Sequence, residues 1–217
     1  MESRINNMPK LNSHFWNFIA RKYERDPIAD LDAYEKKLEM TRQYMNPEME
    51  IAEIGCGTGT TAIAHAPFVK HIDGFDISTN MLKIAQEKAR AKNIENITFT
   101  QARAENIVAE ANTYDMVMAH SVLHLLDDRE VVIADILSML KPGGYFVSST
   151  ICLANNGTVG VMRFLLPVGN FLGLLPLVRF FDEGELLNSI TGAGFAVEQQ
   201  WQPKKDSALF VIAQKPA

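Results

Sequence analysis

Residues 53–59 read Glu-Ile-Gly-Cys-Gly-Thr-Gly, an acid followed by glycines at alternate positions. Gly55, Gly57 and Gly59 allow a backbone to turn tightly and to approach a ligand with no Cβ in the way. The apolar run 49–54 before them reads as a strand, and the stretch to about residue 66 after them as a helix. Such a helix offers free N–H groups and a positive dipole end to an anionic or polar group. Asp76 follows Gly55 by 21 residues, at the end of a second strand-like run, 70–77. A carboxylate there can accept from both hydroxyls of a ribose. A tight turn followed by a surface cap would be the bland explanation. Strand, glycine loop, helix and acid together point instead to a nucleoside-cofactor site.

The nicotinamide fingerprint would place a third glycine at position 60, which is Thr60. The residues alone still leave open a nicotinamide-dependent oxidoreductase and a cofactor-binding module without turnover. His120 and His124 flank Ser121-Val122-Leu123, just after a fourth strand-like run at 114–119. Either is a candidate general base near the mouth of a cleft; the alternative is backbone contact at His120 and plain packing at His124. His14, His65 and His71 have no metal-ligand spacing and read as structural or surface residues, so no metal site is expected.

Strands and helices must alternate to position these groups. Residues 13–25 and 31–45 read as two amphipathic helices, separated by Pro27 and closed by Pro47. Ser78 is placed to cap a helix whose apolar face carries Met81, Leu82, Ile84, Ala85 and Ala89. A third strand is expected over 96–102. Asp127 with Glu130 predicts a capping-box start for a helix that stops at Lys141-Pro142-Gly143-Gly144. A fifth strand is expected over 145–151. Asp182 with Glu185 repeats the box for a helix to about 193, and strands 195–201 and 207–214 can pair as an antiparallel hairpin. Five strand–helix alternations imply a doubly wound α/β domain.

With those elements in place, the acid and alternate glycines at 53–59 resemble the first motif of the class I S-adenosylmethionine (SAM)-dependent methyltransferases. Asp76-Ile77-Ser78 with Met81-Leu82 is similar to the second motif of that family, and Tyr114-Asp115 leading to Ala119-His120 to its fourth-strand motif. Leu140-Lys141-Pro142-Gly143-Gly144 and Ala193-Gly194-Phe195 resemble its later turns. The resemblance implies a Rossmann-like methyltransferase fold: a mostly parallel seven-stranded sheet with a C-terminal antiparallel hairpin and N-terminal cap helices. It implies SAM as cofactor, with S-adenosylhomocysteine (SAH) as product. Gly55, Cys56, Gly57, Thr58 and Gly59 would line the methionine and ribose part, and Glu53 would serve the ammonium end. Asp76 would hold the ribose, with Ile77 and Met81 beside the adenine. Ala104 and Glu105 would serve the adenine ring, and Ala119 and His120 would contact the methionine through backbone. Tyr23, from the cap helices, could stack on the cofactor or bond to it. Arg103 departs from the pattern: it stands where the family often has an Asp, and arginine cannot accept a hydrogen bond. No Asn-Pro-Pro-aromatic motif follows the fourth strand, which argues against nucleobase and glutamine substrates. The general look is similar to the small-molecule branch that includes ubiquinone and menaquinone biosynthesis methyltransferases.

Composition limits the remaining choices. The 217 residues are 47% hydrophobic and 22% charged, an ordinary globular mix, with a net charge of −5. That balance disfavours an electrostatically driven nucleic-acid binder. Two cysteines, Cys56 and Cys152, are too few for a disulfide framework and fit a reduced, cytoplasmic setting. Residues 1–46 read as a helical cap and 47–217 as the cofactor-binding domain, with an apolar insert at 152–181. That insert carries Met162, and then Phe164, Leu165, Phe171, Leu172 and Leu177 between Arg163 and Arg179. It is broken by Pro167, Gly169, Gly173 and Pro176, and is too short to span a bilayer. A lid over an apolar or aromatic acceptor, a packing or dimer surface, and peripheral membrane contact through 163–179 are its candidate roles. The partner expected is a small-molecule acceptor; oligomeric state is not legible.

Overall fold

Met116 and Met118 are buried on one side of the strand Tyr114–His120, and Val117 and Ala119 on the other. A strand apolar on both faces needs cover on both. The computed structural model describes residues 11–107, 109–154, 175–205 and 207–217. Their helices are α1 (Leu11–Arg25), α2 (Leu31–Arg42), α3 (Thr60–His65), α4 (Thr79–Ala91), α5 (Arg129–Met139) and α6 (Glu183–Gly192). Their strands are β1 (Glu50–Ile54), β2 (His71–Asp76), β3 (Ile97–Gln101), β4 (Tyr114–His120), β5 (Leu140–Thr150), β6 (Ala196–Trp201) and β7 (Leu209–Gln214). The seven strands form one sheet in the order β3-β2-β1-β4-β5-β7-β6. The first five pair in parallel, and β7 runs antiparallel to both β5 and β6. This is the doubly wound sheet with a terminal hairpin that the alternation predicts.

One face of the sheet packs on Ile133 and Ile136 of α5 and on Leu186 and Ile190 of α6. The other packs on Ala62 and Ala66 around α3, with Met40 and Tyr44 laid against it from α2 and the turn after it. The N-terminal helices are tied across the strand ends. Asn17 Oδ1 accepts from Ser78 Oγ at 2.7 Å and from the Asn80 amide at 3.0 Å, while Lys88 meets Glu24 at 3.0 Å. Arg42 Nη2 donates to the Ala64 carbonyl at 2.8 Å.

Two local expectations need correction. The N-cap of α5 is Asp128, whose side chain accepts from the Val131 amide at 3.1 Å, not Asp127. Asp127 is drawn away by Arg179 at 3.2 Å, and Glu130 accepts from Ser189 instead of closing a box. The Asp182–Glu185 box does form. The fifth strand starts at Leu140 rather than 145, because Leu140 is fully buried and already pairs with Tyr114; Lys-Pro-Gly-Gly is then accommodated as a register shift before Tyr145 meets Met116. Lys141 also bonds Asp115 at 2.9 Å, so the Asp of the fourth-strand motif clamps strands together, accepting from the Glu50 amide as well.

Most of the expected apolar insert lies outside the described residues, including Met162, Arg163, Phe164, Leu165, Phe171 and Leu172. No described helix is long and apolar enough to cross a membrane. Among the described residues, no group of His, Cys, Asp and Glu could hold a metal ion.

Gly59 shows how tightly the loop is set. Its φ is +71°, and a Cβ there would lie 2.8 Å from Ala85 Cβ and 3.0 Å from the Phe99 ring. Gly59→Ala is expected to cost about 2–4 kcal/mol, the sum of left-handed strain and overpacking, read as a lower denaturation midpoint. An unchanged midpoint would contradict this close packing.

Candidate active site

The end of β1 carries the site because a parallel sheet leaves a crevice where its strand order reverses, here beside β1. Gly55, Gly57 and Gly59 all have positive φ, between +52° and +71°. A Cβ at Gly55 would strike Val122 at 2.9 Å, whereas one at Gly57 would meet nothing within 4 Å. Gly57 therefore faces open space, as a backbone that receives a ligand must. Its N–H donates to Asp76 Oδ2 at 2.9 Å, and the Ser78 N–H donates to Asp76 Oδ1 at 2.8 Å. These bonds fix the carboxylate at the end of β2 while leaving each oxygen a further lone pair.

Two clefts open from the loop. The first is lined by Gly55, Asp76, Ile77, Met81, Ala104 and Glu105, with Trp16 of α1 at its edge. The second, about 830 Å³, runs from Glu53, Cys56 and Thr58 under α2 toward β5. Tyr23, Gly55, Gly57, His120 and Ser121 line both. Gly59, Ala119 and His124 line neither. Gly59 packs into Ala85 and Phe99, Ala119 is fully buried within the sheet, and His124 sits on a short 3-10 turn, Leu123–Leu125.

Electrostatics sets the two acids apart from ordinary surface carboxylates. Glu53 is 2% exposed; it accepts from the Ala62 N–H, but its Oε2 is buried without a partner. Burial, with a smaller push from Asp76, raises its pKa to about 8. Burial also raises the Asp76 pKa, against the pull of the Ser78, Gly57 and Ile77 amides. Tyr23, half exposed, has its phenol pKa raised by desolvation and then by Asp76 and Glu53. The loop thus presents a buried acid with an orphaned acceptor and a second, partly buried acid to the cleft, an arrangement that suits a cation.

His120 and His124 are neutral near pH 7. Burial lowers His120 and His124 to about 4 each, with Lys37 adding to the effect at His120. The Nδ1 atoms of both are buried without a partner. Arg103, in the first cleft, is held by Glu105 at 3.5 Å, so the carboxylate expected at the adenine also answers to this guanidinium.

Ser121, Ser149, Lys37 and His65 are among the cleft residues that the sequence reading did not assign to the site. Ser121 adopts φ +55°, a left-handed conformation costing about 1 kcal/mol or more in a residue with a Cβ. Its N–H donates to the Ser149 carbonyl at 2.7 Å, fixing the exit of β4 against β5. Ser149, Lys37 and His65 line the second cleft. No local pattern marks them; His65 read as a structural or surface residue, and Lys37 was not singled out on its amphipathic helix.

A family model described as "Methyltransferase domain" matches residues 45–165. "Uncharacterized methyltransferase YcgJ" of Bacillus subtilis is 29% identical over 100 residues, 46% of this chain and 40% of the relative; the chain spans less than half of that protein's length. "Demethylmenaquinone methyltransferase" of Staphylococcus aureus is 25% identical over 223 residues, covering 87% of this chain and 92% of the relative. Phosphoethanolamine N-methyltransferase 2 of Haemonchus contortus, solved in complex with S-adenosyl-L-methionine, superposes with a TM-score of 0.70 at 17% identity, covering 85% of this chain and 53% of that one.

Proposed function

Since the chain belongs to the methyltransferase-domain family, we propose that it is a SAM-dependent methyltransferase acting on a small molecule. The observation that carries this reading is the buried Glu53 with its unpartnered Oε2 beside the glycine loop. SAM bears an ammonium, which favours the ionised form of the buried Glu53 and can pair with it. A dinucleotide would bring a pyrophosphate to the same loop, where an ionised Glu53 would repel it and a protonated one would gain no ion pair. That disfavours the nicotinamide-dependent alternative.

When bound, SAM supplies a methyl group already activated by its sulfonium. The chain's own residues orient and enclose. Glu53 holds the ammonium end, and Asp76 accepts the ribose hydroxyls. Gly55, Gly57 and Thr58 bring backbone close, and Ile77 and Met81 flank the base, with the Ala104 amide and Glu105 at its edge. Trp16 and Tyr23 cover the mouth and exclude water. His120, shared by both clefts, is a hydrogen-bonding partner for the acceptor; at a pKa of about 4 it is a weak base at pH 7. His124 stands outside both linings, so the base role proposed for it from sequence has no geometric support.

For the acceptor we propose an apolar or aromatic body. Tyr34, Ile28, Leu38 and Pro203 on the second cleft support this, as does similarity to a relative whose name specifies demethylmenaquinone. Calorimetry should find SAH binding and no binding of NAD; the reverse would overturn the assignment. Methyl-labelled SAM should transfer label to phenolic or quinol acceptors in a panel. Label appearing only on polar amines would overturn the aromatic part alone.

A further inference from the structure

Within the second cleft, α2 directs Lys37 inward to the sheet. Its Nζ donates to Ser149 Oγ at 2.8 Å, and Ser149 is 4% exposed. Lys37 is half-buried, yet among the described residues no carboxylate pairs with it. Asp30, the acid whose field it feels, is engaged by the Ala33 N–H and by Lys204. Ser149 pairs in register with His120, whose Nδ1 has no partner. His65 is 0% exposed, and neither of its ring nitrogens has a partner. A neutral imidazole carries one N–H, so Lys37, His65 and His120 each bring a donor to this end of the cleft. Burying an ammonium and orphaned ring nitrogens is costly unless something completes them.

We propose that Lys37, Ser149, His120 and His65 form a carboxylate-binding subsite that anchors the acceptor, so that the substrate is an apolar or aromatic acid. This rests on the methyltransferase reading above. An anionic oxygen would satisfy Lys37 and an imidazole N–H together, at the strength of charge-assisted hydrogen bonds. The subsite lies toward β5, two strands from the glycine loop on β1, roughly 10 Å along the sheet at ordinary strand spacing. That separation favours the acceptor's carboxylate over the cofactor's own. Desolvation of Lys37, which lowers its pKa, agrees with an ammonium held ready for an anion.

The test titrates SAH-saturated protein with benzoate and with benzamide, its neutral match in shape. Benzoate is expected to bind about tenfold more tightly or better, as loss of one charged hydrogen bond implies. Lys37→Met should erase that preference while leaving SAH affinity unchanged, and Lys37→Arg should retain it. Thermal melts of both variants check folding; removing a desolvated cation should not lower the melting temperature. Equal binding of the two probes, or no benzoate binding to the SAH complex, overturns the subsite. A parallel loss of SAH affinity in Lys37→Met also overturns it, because the anion would then be the cofactor's carboxylate. Absence of SAH binding in the unaltered protein instead overturns the methyltransferase reading itself.

Discussion

Asp76→Ala should weaken SAH binding by about 100-fold or more, because two charged hydrogen bonds to a ribose are lost together, each contributing roughly 1.5–3 kcal/mol. Asp76→Asn retains one acceptor oxygen and should lose about tenfold. Calorimetry measures both. The carboxylate also receives the Gly57 and Ser78 amides, so folding must be measured alongside. Burial raises the pKa of Asp76, which means the folded state disfavours its ionised form. Each oxygen nevertheless accepts from a backbone N–H, and an Asn must set its NH2 against one of those donors, so the Asn variant should also melt below the parent at neutral pH. A variant that melts normally and binds SAH with unchanged affinity would remove Asp76 from the ribose.

The second large effect belongs to Glu53. Its pKa of about 8 is far above that of an unfolded glutamate, so the free protein carries it mostly protonated at pH 7. An ammonium in the cleft favours the ionised form, so cofactor binding must expel a proton below pH 8. Affinity for SAH should then rise with pH and level off above about 8, by up to about tenfold per unit. Glu53→Gln should abolish this slope and cost about 10- to 100-fold in affinity above pH 8. Stability runs the opposite way. A raised folded pKa contributes stability that is complete below the unfolded value, near 4.5, and is lost as pH rises through 8. The Gln variant should consequently be more stable than the parent at alkaline pH and inferior only in binding. Proton release is read from calorimetry in buffers of different ionisation heat. A flat pH profile in the parent would separate Glu53 from the ammonium.

What was legible in the sequence was contiguous in it. The acid, the alternate glycines and the flanking strand and helix occupy one short stretch, and Asp76 ends the next strand, so local spacing carried the cofactor cleft. The Asp182–Glu185 cap was read for the same reason. Asp127 and Asp128 are both competent caps, and only the distant Arg179 decides between them. Lys37 meets Ser149 across 112 positions, a contact no periodicity announces. His65 looks like an ordinary helix residue until the fold sets it beside His120. Ser121 is a common residue in a conformation that composition does not disclose. The glycine-loop side of the site was therefore readable as a motif, while the Lys37 side exists only through tertiary placement.

The position of β7 bears on how the polypeptide is made. The last strand of this sheet to be made is an interior one, inserted between β5 and β6. Until it arrives, β5 offers an open edge and β6 has no neighbour to hydrogen-bond, and such an edge templates aggregation. Phe210, which stacks on His120 at 6.5 Å, is also missing from the nascent chain. Synthesis thus completes the glycine loop early and the sheet behind His120 late, so stalled or nicked chains should be sticky before they are active.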